Sequence, residues 1–263
     1  MSMLKMGLKN LRLDQQEAPE NIYFIASGKG GVGKTWFSIT FSQALGQQDK
    51  KILLCDGDLG LANIDIQLGL TAEKDLTSSL MNYIELKDVI IPYPQGGFDV
   101  IAGRSGSGTL ATLPPQSLIY LREQLKKLSS VYDIILVDLG AGVGTTIQNL
   151  MQIAGQCIVV ITDEPTSLMD AYAFIKVMHG RRQVLPMNII INQAETLEAG
   201  KRTYEIIQQV CEKFLNMTPH LLGIIRRDPY VRDTICAQTP ILTRYPTAPA
   251  AEDVKGIVQM ITS

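Results

Sequence analysis

The 263-residue sequence contains few of the residues that build metal centres or disulfide frameworks. Its four cysteines are scattered and form no C-x-x-C pair, and its two histidines, His179 and His220, lie far apart. Structural zinc and iron–sulfur sites need ligands at close and regular spacing, and isolated cysteines are typical of buried thiols in a reducing compartment. We therefore expect a cytoplasmic protein without such a site.

The sequence also lacks long apolar runs and a strong net charge. No run approaches the roughly 18 apolar residues of a membrane-spanning helix, and the N-terminal stretches are too short and interrupted for a signal peptide. The formal net charge of −2 provides no overall attraction to nucleic acid or anionic lipid. We expect a soluble protein that does not bind nucleic acid.

What the sequence does contain is a series of short apolar runs separated by stretches of helical length. Hydrophobic residues make up 46% of the chain and charged residues 19%, which indicates a sizeable core. The runs are continuous rather than alternating, as in strands that are buried on both faces of a parallel sheet. They span residues 22–27, 51–56, 98–103, 133–138, 157–162, 187–192 and 221–225, with 240–242 as a candidate edge strand.

The order of these runs predicts the fold class. Helical intervals between most of the runs fit crossover connections, so we predict an α/β fold with a doubly wound, mostly parallel sheet of about 7–8 strands and helices on both faces. One such domain accounts for residues 21–263. Residues 1–20 are predicted to form a polar N-terminal arm, in which Leu4, Leu8 and Leu11 would share one face of a short helix.

A glycine-rich segment, ASGKGGVGKTWFS, follows the first predicted strand and precedes a predicted helix. Its G-x-x-x-x-G-K-T core comprises Gly28, Lys29, Gly30, Gly31, Val32, Gly33, Lys34 and Thr35. Glycines allow successive backbone N–H groups to turn towards phosphate oxygens, and the helix N-terminus adds partial positive charge. We predict a phosphate-binding loop, in which Lys34 bridges the β- and γ-phosphates and Thr35 offers its hydroxyl to Mg²⁺. A glycine-rich turn without a ligand is the less favoured alternative.

Aspartates stand at the carboxyl ends of two other predicted strands. Asp56 ends the second run, and Asp58 stands two residues after it. Asp138 ends the run at 133–138. Open α/β sheets bind ligands at this end of their strands, and an apolar strand that ends in Asp is the Walker B pattern. We predict that these carboxylates serve Mg²⁺, Asp138 directly or through water. Capping of the following turn or helix is the alternative for each of them.

The motif GKGGVGKT, with its early lysine, resembles the deviant Walker A signature of the MinD/ParA class of P-loop ATPases. Within that class, the segments CDGDLGLANIDIQLGL and ITDEPTSLMDAYAFIKVM and the ending QTPILTRYPTAPAAEDVKGI are similar to the flagellar-number regulators of the FlhG/FleN subgroup. The resemblance covers roughly residues 20–258. It implies a MinD-like P-loop fold, ATP and Mg²⁺ as cofactors, Mg²⁺-dependent ATP hydrolysis, and a homodimer in the ATP-bound state.

The resemblance also implies roles for single residues. Lys29 would cross the dimer interface to the phosphates of the partner's nucleotide, where an added cation offsets dense negative charge. Asp58 would orient the attacking water, with Asp56 as its companion near Mg²⁺. Lys29, Lys34 and Asp58 are therefore the candidate catalytic residues, and Thr35, Asp56 and Asp138 are the candidate metal ligands.

Further positions concern the nucleoside. Asn192 matches the position that reads the adenine edge, and Asp228 lies where the class contacts base or ribose; a strand-end turn is the alternative for Asn192. Trp36 replaces a small polar residue, although its backbone N–H can still serve the α-phosphate. Arg226 and Arg227 stand where a proline commonly precedes Asp228, which is a departure from the pattern of the class.

By resemblance, the protein is a slowly hydrolysing dimerisation switch that regulates the number or placement of bacterial flagella. Its expected partners are an FlhF-type GTPase, flagellar switch or C-ring proteins, or a flagellar transcriptional activator. The chain ends in a short segment with little basic character, so we expect weak or no membrane binding, and a cytoplasmic location with at most transient association with a membrane or pole. Two alternatives remain: an ATPase of the same class for division-site selection or partitioning, and a nucleotide-binding scaffold that does not hydrolyse.

Overall fold

The computed structural model describes residues 19–103, 114–153, 155–180 and 185–262; of the predicted N-terminal arm, residues 1–18 lie outside this set. Its strands form one eight-stranded sheet in the order β3-β4-β2-β5-β1-β6-β7-β8. The strands are β1 (Ile22–Ala26), β2 (Ile52–Gly57), β3 (Ile91–Tyr93), β4 (Phe98–Ile101), β5 (Ile134–Leu139), β6 (Gln156–Ile161), β7 (Met187–Ala194) and β8 (His220–Arg226). All neighbouring pairs run parallel except β3 with β4. The predicted α/β fold with a mostly parallel sheet is confirmed.

Helices cover both faces of the sheet. They are α1 (Lys34–Gly46), α2 (Ile64–Leu68), α3 (Leu76–Asn82), α4 (Pro115–Leu128), α5 (Thr145–Leu150), α6 (Pro165–His179), α7 (Leu197–Leu215), α8 (Pro229–Cys236), α9 (Ile241–Arg244) and α10 (Pro249–Thr262), with short 3-10 helices at Leu86–Val89 and Met151–Ile153. One hydrophobic cluster joins the sheet to α3, α4, α5, α6 and α7, and a second joins it to α1, α2, α9 and α10. No helix in the described ranges is long and apolar enough to cross a bilayer.

The two clusters explain the continuous apolar runs. Successive side chains of a strand point to opposite faces, so Phe24 of β1 joins the first cluster and Ile25 joins the second. Both faces are covered by helices, and neither face of a central strand needs polar residues. Seven predicted strands are accordingly confirmed, each to within two residues at either end.

Two short segments differ from the prediction. Residues 240–242 are not an edge strand: Pro240 is the N-cap of α9, and Ile241 and Leu242 are buried in the second cluster. A run of two apolar residues after proline fits one buried helical turn as well as a strand. The sequence reasoning also missed β3, which has only three residues, contains Pro92 and pairs with β4 alone, as expected for an edge strand that tolerates proline.

The topology brings the predicted ligand-binding segments together. β1 lies between β5 and β6, and β2 lies on the other side of β5. In register, Asp138 of β5 is the neighbour of Ile25 on β1 and of Asp56 on β2. The glycine-rich loop and the acidic strand ends therefore meet at the carboxyl ends of three adjacent strands, where open sheets of this kind bind ligands.

Candidate functional site

A cavity of about 680 Å³ opens at the carboxyl ends of β1, β2 and β5. It is lined by the glycine-rich loop from Lys29 to Trp36, by the segment after β2 that includes Asp58, and by the segment after β5 that includes Gly140 and Thr145. Gln67 of α2 and Ile235 of α8 are also part of the lining. This volume falls in the range of about 300–1,000 Å³ that holds a whole small-molecule ligand.

The glycine-rich loop ends on Gly33, the N-cap of α1, whose φ of 86° favours glycine. A Cβ at this position would lie 2.4 Å from Nδ2 of Asn192, so side-chain space is lacking as well. Gly28 at the start of the loop approaches α6 so closely that a Cβ would lie 2.2 Å from the carbonyl of Asp170. Because Gly33 provides no side chain to cap α1, the first turn of the helix presents its N–H groups to the cavity, which favours an anion.

Thr35 and Asp138, predicted as metal ligands, are in direct contact. The Thr35 hydroxyl donates to Oδ2 of Asp138 at 2.6 Å, the Ser38 hydroxyl donates to Oδ1 at 3.1 Å, and Nζ of Lys34 lies 3.7 Å from Oδ1. Burial raises the pKa of the Asp138 carboxyl, and the charge of Lys34 and the two hydroxyl donors oppose this rise. Ser38 was missed by the sequence reasoning, although it stands four residues after Lys34, on the same side of α1.

Asp56 organises the segment that follows β2. Its Oδ1 accepts the N–H of Asp58 at 3.2 Å, and its Oδ2 accepts those of Asn63 at 2.9 Å and Ile64 at 3.0 Å. Burial, and then the nearby charge of Asp138, raise the pKa of this carboxyl to about 7. Asp56 therefore holds the segment against the end of the sheet and places a second carboxyl next to Asp138.

Asp58 lies on the cavity wall, half-buried. Its Oδ1 accepts the N–H groups of Gly60 at 3.1 Å and Leu61 at 2.9 Å. A Cβ on Gly140 would lie 3.3 Å from both carboxylate oxygens, so Asp58 sits close to the segment after β5. The carboxylate is oriented by backbone donors on one oxygen, and within the described residues Oδ2 accepts no hydrogen bond.

Lys29 is part of the cavity lining, and its ammonium group contacts residues at the start of α6. Its Nζ donates to Oε2 of Glu164 at 2.5 Å and to Oγ1 of Thr166 at 2.9 Å, at the start of α6. The hydrogen bond and the charge of Lys29 lower the pKa of the Glu164 carboxyl. Glu164 and Thr166 were missed by the sequence reasoning, because they are 135 and 137 residues away along the chain.

Asn192 and Asp228 lie near the site but do not line the cavity. Nδ2 of Asn192 donates to the carbonyl of Val32 at 2.8 Å, which ties the end of β7 to the glycine-rich loop. Asp228 caps α8 by accepting the N–H of Tyr230 at 2.9 Å and also accepts that of Ala250 at 3.0 Å. Their contact with a base stays a prediction.

The two arginines before Asp228 point in different directions. Arg226 forms a two-pronged pair with Asp253 of α10, with Nη2 2.7 Å from Oδ1 and Nε 2.9 Å from Oδ2, so it stabilises the packing of α10 on β8. Arg227 is exposed. Neither guanidinium lines the cavity.

The donor set fits a magnesium ion held with a nucleotide. Proteins bind Mg²⁺ in such sites through one or two carboxylates and a hydroxyl, and substrate phosphates and water supply the other oxygens. Thr35 provides a hydroxyl and Asp138 a carboxylate, and the two groups lie within hydrogen-bonding distance of each other. The described residues contain no group of three His, Cys, Asp or Glu side chains that could hold an ion without such a ligand.

Comparison with protein families and characterised sequences gave consistent matches. A family described as an AAA domain matches residues 20–191. The antiactivator FleN of Pseudomonas aeruginosa is 31% identical over 245 residues, which cover 93% of this chain and 87% of that protein. The flagellum site-determining protein YlxH of Helicobacter pylori is 32% identical over 221 residues, covering 81% and 74%. The septum site-determining protein MinD of Bacillus subtilis is 27% identical over 216 residues, covering 79% and 76%.

Solved structures share the fold over nearly the whole chain. MinD of Pyrococcus horikoshii, in a complex with Mg-ADP, matches with a TM-score of 0.77 and 25% identity over 92% of this chain and 95% of that one. MinD of Pyrococcus furiosus matches with a TM-score of 0.78 and 24% identity, over 92% and 98%.

Proposed function

The chain belongs to the MinD/ParA class of P-loop ATPases, and we propose that it is an ATP-driven dimerisation switch that regulates the number or placement of flagella. The observation that carries this proposal is the contact of Lys34 and Thr35, which line the cavity, with the buried Asp138, together with Lys29 in the same lining. In this proposal the cluster of Lys34, Thr35 and Asp138 holds a phosphate with its metal, and Lys29 serves the nucleotide of a second protomer.

In this proposal, the phosphates lie on the first turn of α1 and contact Lys34 and the loop residues 28–33. Thr35 and Asp138 would hold Mg²⁺, which supplies charge neutralisation at the phosphates, and Asp56 would support them from the neighbouring strand. The hydrogen bond between Thr35, which lines the cavity, and the buried Asp138 holds the hydroxyl and the carboxylate together before the ligand arrives. Such preorganisation reduces the reorganisation needed on binding.

Asp58 is proposed to orient the water that attacks the terminal phosphate. Backbone N–H groups of Gly60 and Leu61 fix one of its oxygens, which leaves the other to accept a proton from water. Asp58 lies beside Gly140, so its carboxylate is close to the segment that follows β5.

Lys29 is proposed to reach the nucleotide of a second protomer. In the single protomer it pairs with Glu164, and both side chains are well exposed. Exposed ion pairs of this kind contribute little to stability because water and salt screen them. The lysine can therefore leave Glu164 at small cost when the phosphates of a second nucleotide approach.

The biological role is proposed from the relatives. The names of the Pseudomonas and Helicobacter proteins refer to antiactivation and to flagellar site determination. The Pseudomonas protein matches 93% of the chain at 31% identity, whereas the septum site-determining MinD proteins match 79% at 27% (Bacillus subtilis) or 65% at 31% (Emiliania huxleyi), which favours a flagellar role over division-site selection. We propose an FlhF-type GTPase, flagellar switch or C-ring proteins, or a flagellar transcriptional activator as partners of the ATP-bound dimer.

Hydrolysis can be tested by measuring phosphate release from ATP in the presence of Mg²⁺. We expect slow turnover in the wild type and a loss of at least about tenfold in Asp58→Ala, because the water loses its acceptor. Asp65→Ala is the matched control: Asp65 lies on the nearby helix α2 but does not line the cavity, so its turnover should equal that of the wild type. Equal and negligible turnover in all three proteins would instead support a non-hydrolysing scaffold.

A further inference from the structure

Three side chains of α1 contact Asp138, and two of them line the cavity. Lys34 and Thr35 belong to the lining, whereas Ser38 is fully buried and lies outside it. In the proposed function, Lys34 turns to the phosphates and Thr35 offers its hydroxyl to Mg²⁺. Ser38 is therefore the one of these three residues whose contact with Asp138 does not compete with the ligand.

The position of Ser38 in α1 aims its hydroxyl at the end of β5. Ser38 follows Lys34 by four residues, so both side chains project from the same side of the helix. Its Oγ lies 3.1 Å from Oδ1 of Asp138 and 3.0 Å from the carbonyl oxygen of Lys34. A hydroxyl carries one hydrogen, and an ionised carboxylate accepts it more strongly than a backbone carbonyl does. The hydrogen bond to the Asp138 carboxylate is therefore favoured over the one within the helix.

The two hydroxyls hold opposite oxygens of the Asp138 carboxylate. Thr35 donates to Oδ2 at 2.6 Å, and Ser38 donates to Oδ1. A carboxylate that is held at one oxygen can turn about its Cβ–Cγ bond, whereas one that is held at both oxygens cannot. Asp138 is only 2% exposed, so water does not readily replace a donor that is lost. Once Thr35 serves the metal, the hydrogen bond from Ser38 still orients the carboxylate.

We propose that Ser38 is a positioning residue of the metal site, which holds Oδ1 of Asp138 so that Oδ2 stays beside the Thr35 hydroxyl. This inference rests on the proposed nucleotide-binding function. It gives Ser38 a part in the binding of Mg²⁺ that needs no contact between Ser38 and the metal.

Calorimetric titration of the full chain with ADP, once with Mg²⁺ and once with excess EDTA, tests this proposal. The ratio of the two Kd values is the factor by which Mg²⁺ strengthens ADP binding. ADP is used because it is not hydrolysed in the assay. We expect this Mg²⁺ factor to be at least about threefold smaller in Ser38→Ala than in the wild type, while the Kd in EDTA stays within about twofold.

Ser42→Ala is the matched control. Ser42 is a fully buried serine one turn further along α1, and its hydroxyl donates to the backbone carbonyl of Ser38 at 2.7 Å. This variant removes the same group from the same helix without touching Asp138, so its Mg²⁺ factor should equal that of the wild type. Ser38→Cys fills nearly the same space with a weaker donor and should give an intermediate factor. It keeps the test decisive if Ser38→Ala does not fold.

A double variant shows whether Ser38 acts through Asp138. If it does, Ser38→Ala should cause no further loss of the Mg²⁺ factor when it is added to Asp138→Asn. A residue with a merely structural role in α1 would lower ADP binding in both backgrounds.

The outcomes separate the inference from the function on which it rests. An unchanged Mg²⁺ factor in Ser38→Ala, or the same decrease in Ser42→Ala, would overturn the inference. Equal weakening of ADP binding with Mg²⁺ and with EDTA would also overturn it, because Ser38 would then support the phosphate loop rather than the metal site. A wild type that binds ADP in neither condition would refute the proposed function itself.

Discussion

Asp56 should make the stability of the ligand-free protein fall as the pH rises. Its carboxyl is almost completely buried, and its pKa is raised from 3.8 to about 7, by burial first and by the charge of Asp138 second. The folded state therefore holds this proton more tightly than the unfolded state does. Stability from this group is fully present below the unfolded pKa and is lost as the pH rises from there through the folded pKa.

The size of the effect follows from the two pKa values. Linkage gives a loss of about 2 kcal/mol at pH 5.5 and about 4 kcal/mol at pH 8 for this carboxyl, relative to a group that does not titrate. In Asp56→Asn the titration disappears, although one acceptor oxygen is replaced by a donor that faces the N–H of Asp58. The free energy of unfolding of Asp56→Asn, minus that of the wild type, should therefore increase by about 2 kcal/mol between pH 5.5 and pH 8.

Urea denaturation at the two pH values, without nucleotide or Mg²⁺, measures this difference. The constant cost of the altered hydrogen bond cancels, because only the change with pH is compared. Asp65→Asn serves as the control for the loss of one carboxylate, since Asp65 is a more accessible side chain at the start of α2. A pH-independent difference for Asp56→Asn would refute the reasoning, because Asp56 would then ionise as it does in the unfolded chain.

Two further predictions concern the glycine-rich loop. In urea denaturation, Gly33→Ala should lower the free energy of unfolding by about 1–3 kcal/mol, because φ at Gly33 is 86° and a Cβ would lie 2.4 Å from the Asn192 amide. Gly30→Ala is the control: a Cβ at Gly30 would meet no atom within 4 Å, so this variant should lose less than about 1 kcal/mol. Lys29→Ala should retain ADP binding in calorimetry and lose ATP-dependent dimerisation in size-exclusion chromatography. Lys50→Ala, which changes an exposed lysine, should retain both. A Lys29→Ala protein that still dimerises with ATP would exclude the proposed role of Lys29 across the interface.

Much of the fold was predictable because the sheet is buried on both faces. Strands such as β2 and β5 consist of consecutive buried residues, so their apolar runs stand out from the amphipathic helices between them. Short elements such as β3 were harder to predict, because a segment of three residues is too short to show a periodic pattern of apolar side chains. Burial of Ile241 and Leu242 depends on where α9 meets the second cluster, which is a property of the whole chain.

The site was predictable where it depends on local sequence. The glycine-rich loop and Asp138 follow strands directly, and the parallel topology alone brings them together at the end of the sheet. The partners of Lys29 could not be found in this way, because the pairing with Glu164 needs the approach of α6 to the loop at Gly28. Trp36 was unexplained from the sequence, and its place on the cavity wall became visible only with α2 and α8 in position.

The mass of Asp58→Ala in solution tests the central claim most directly. This variant should bind ATP with Mg²⁺ and hydrolyse it too slowly to leave the ATP state, so a switch of this kind would accumulate as a dimer. Light scattering coupled to size-exclusion chromatography should then give twice the 28.9 kDa mass of one chain with ATP, and the mass of a single chain with ADP. The same mass with both nucleotides, in a protein shown to bind them, would contradict the account.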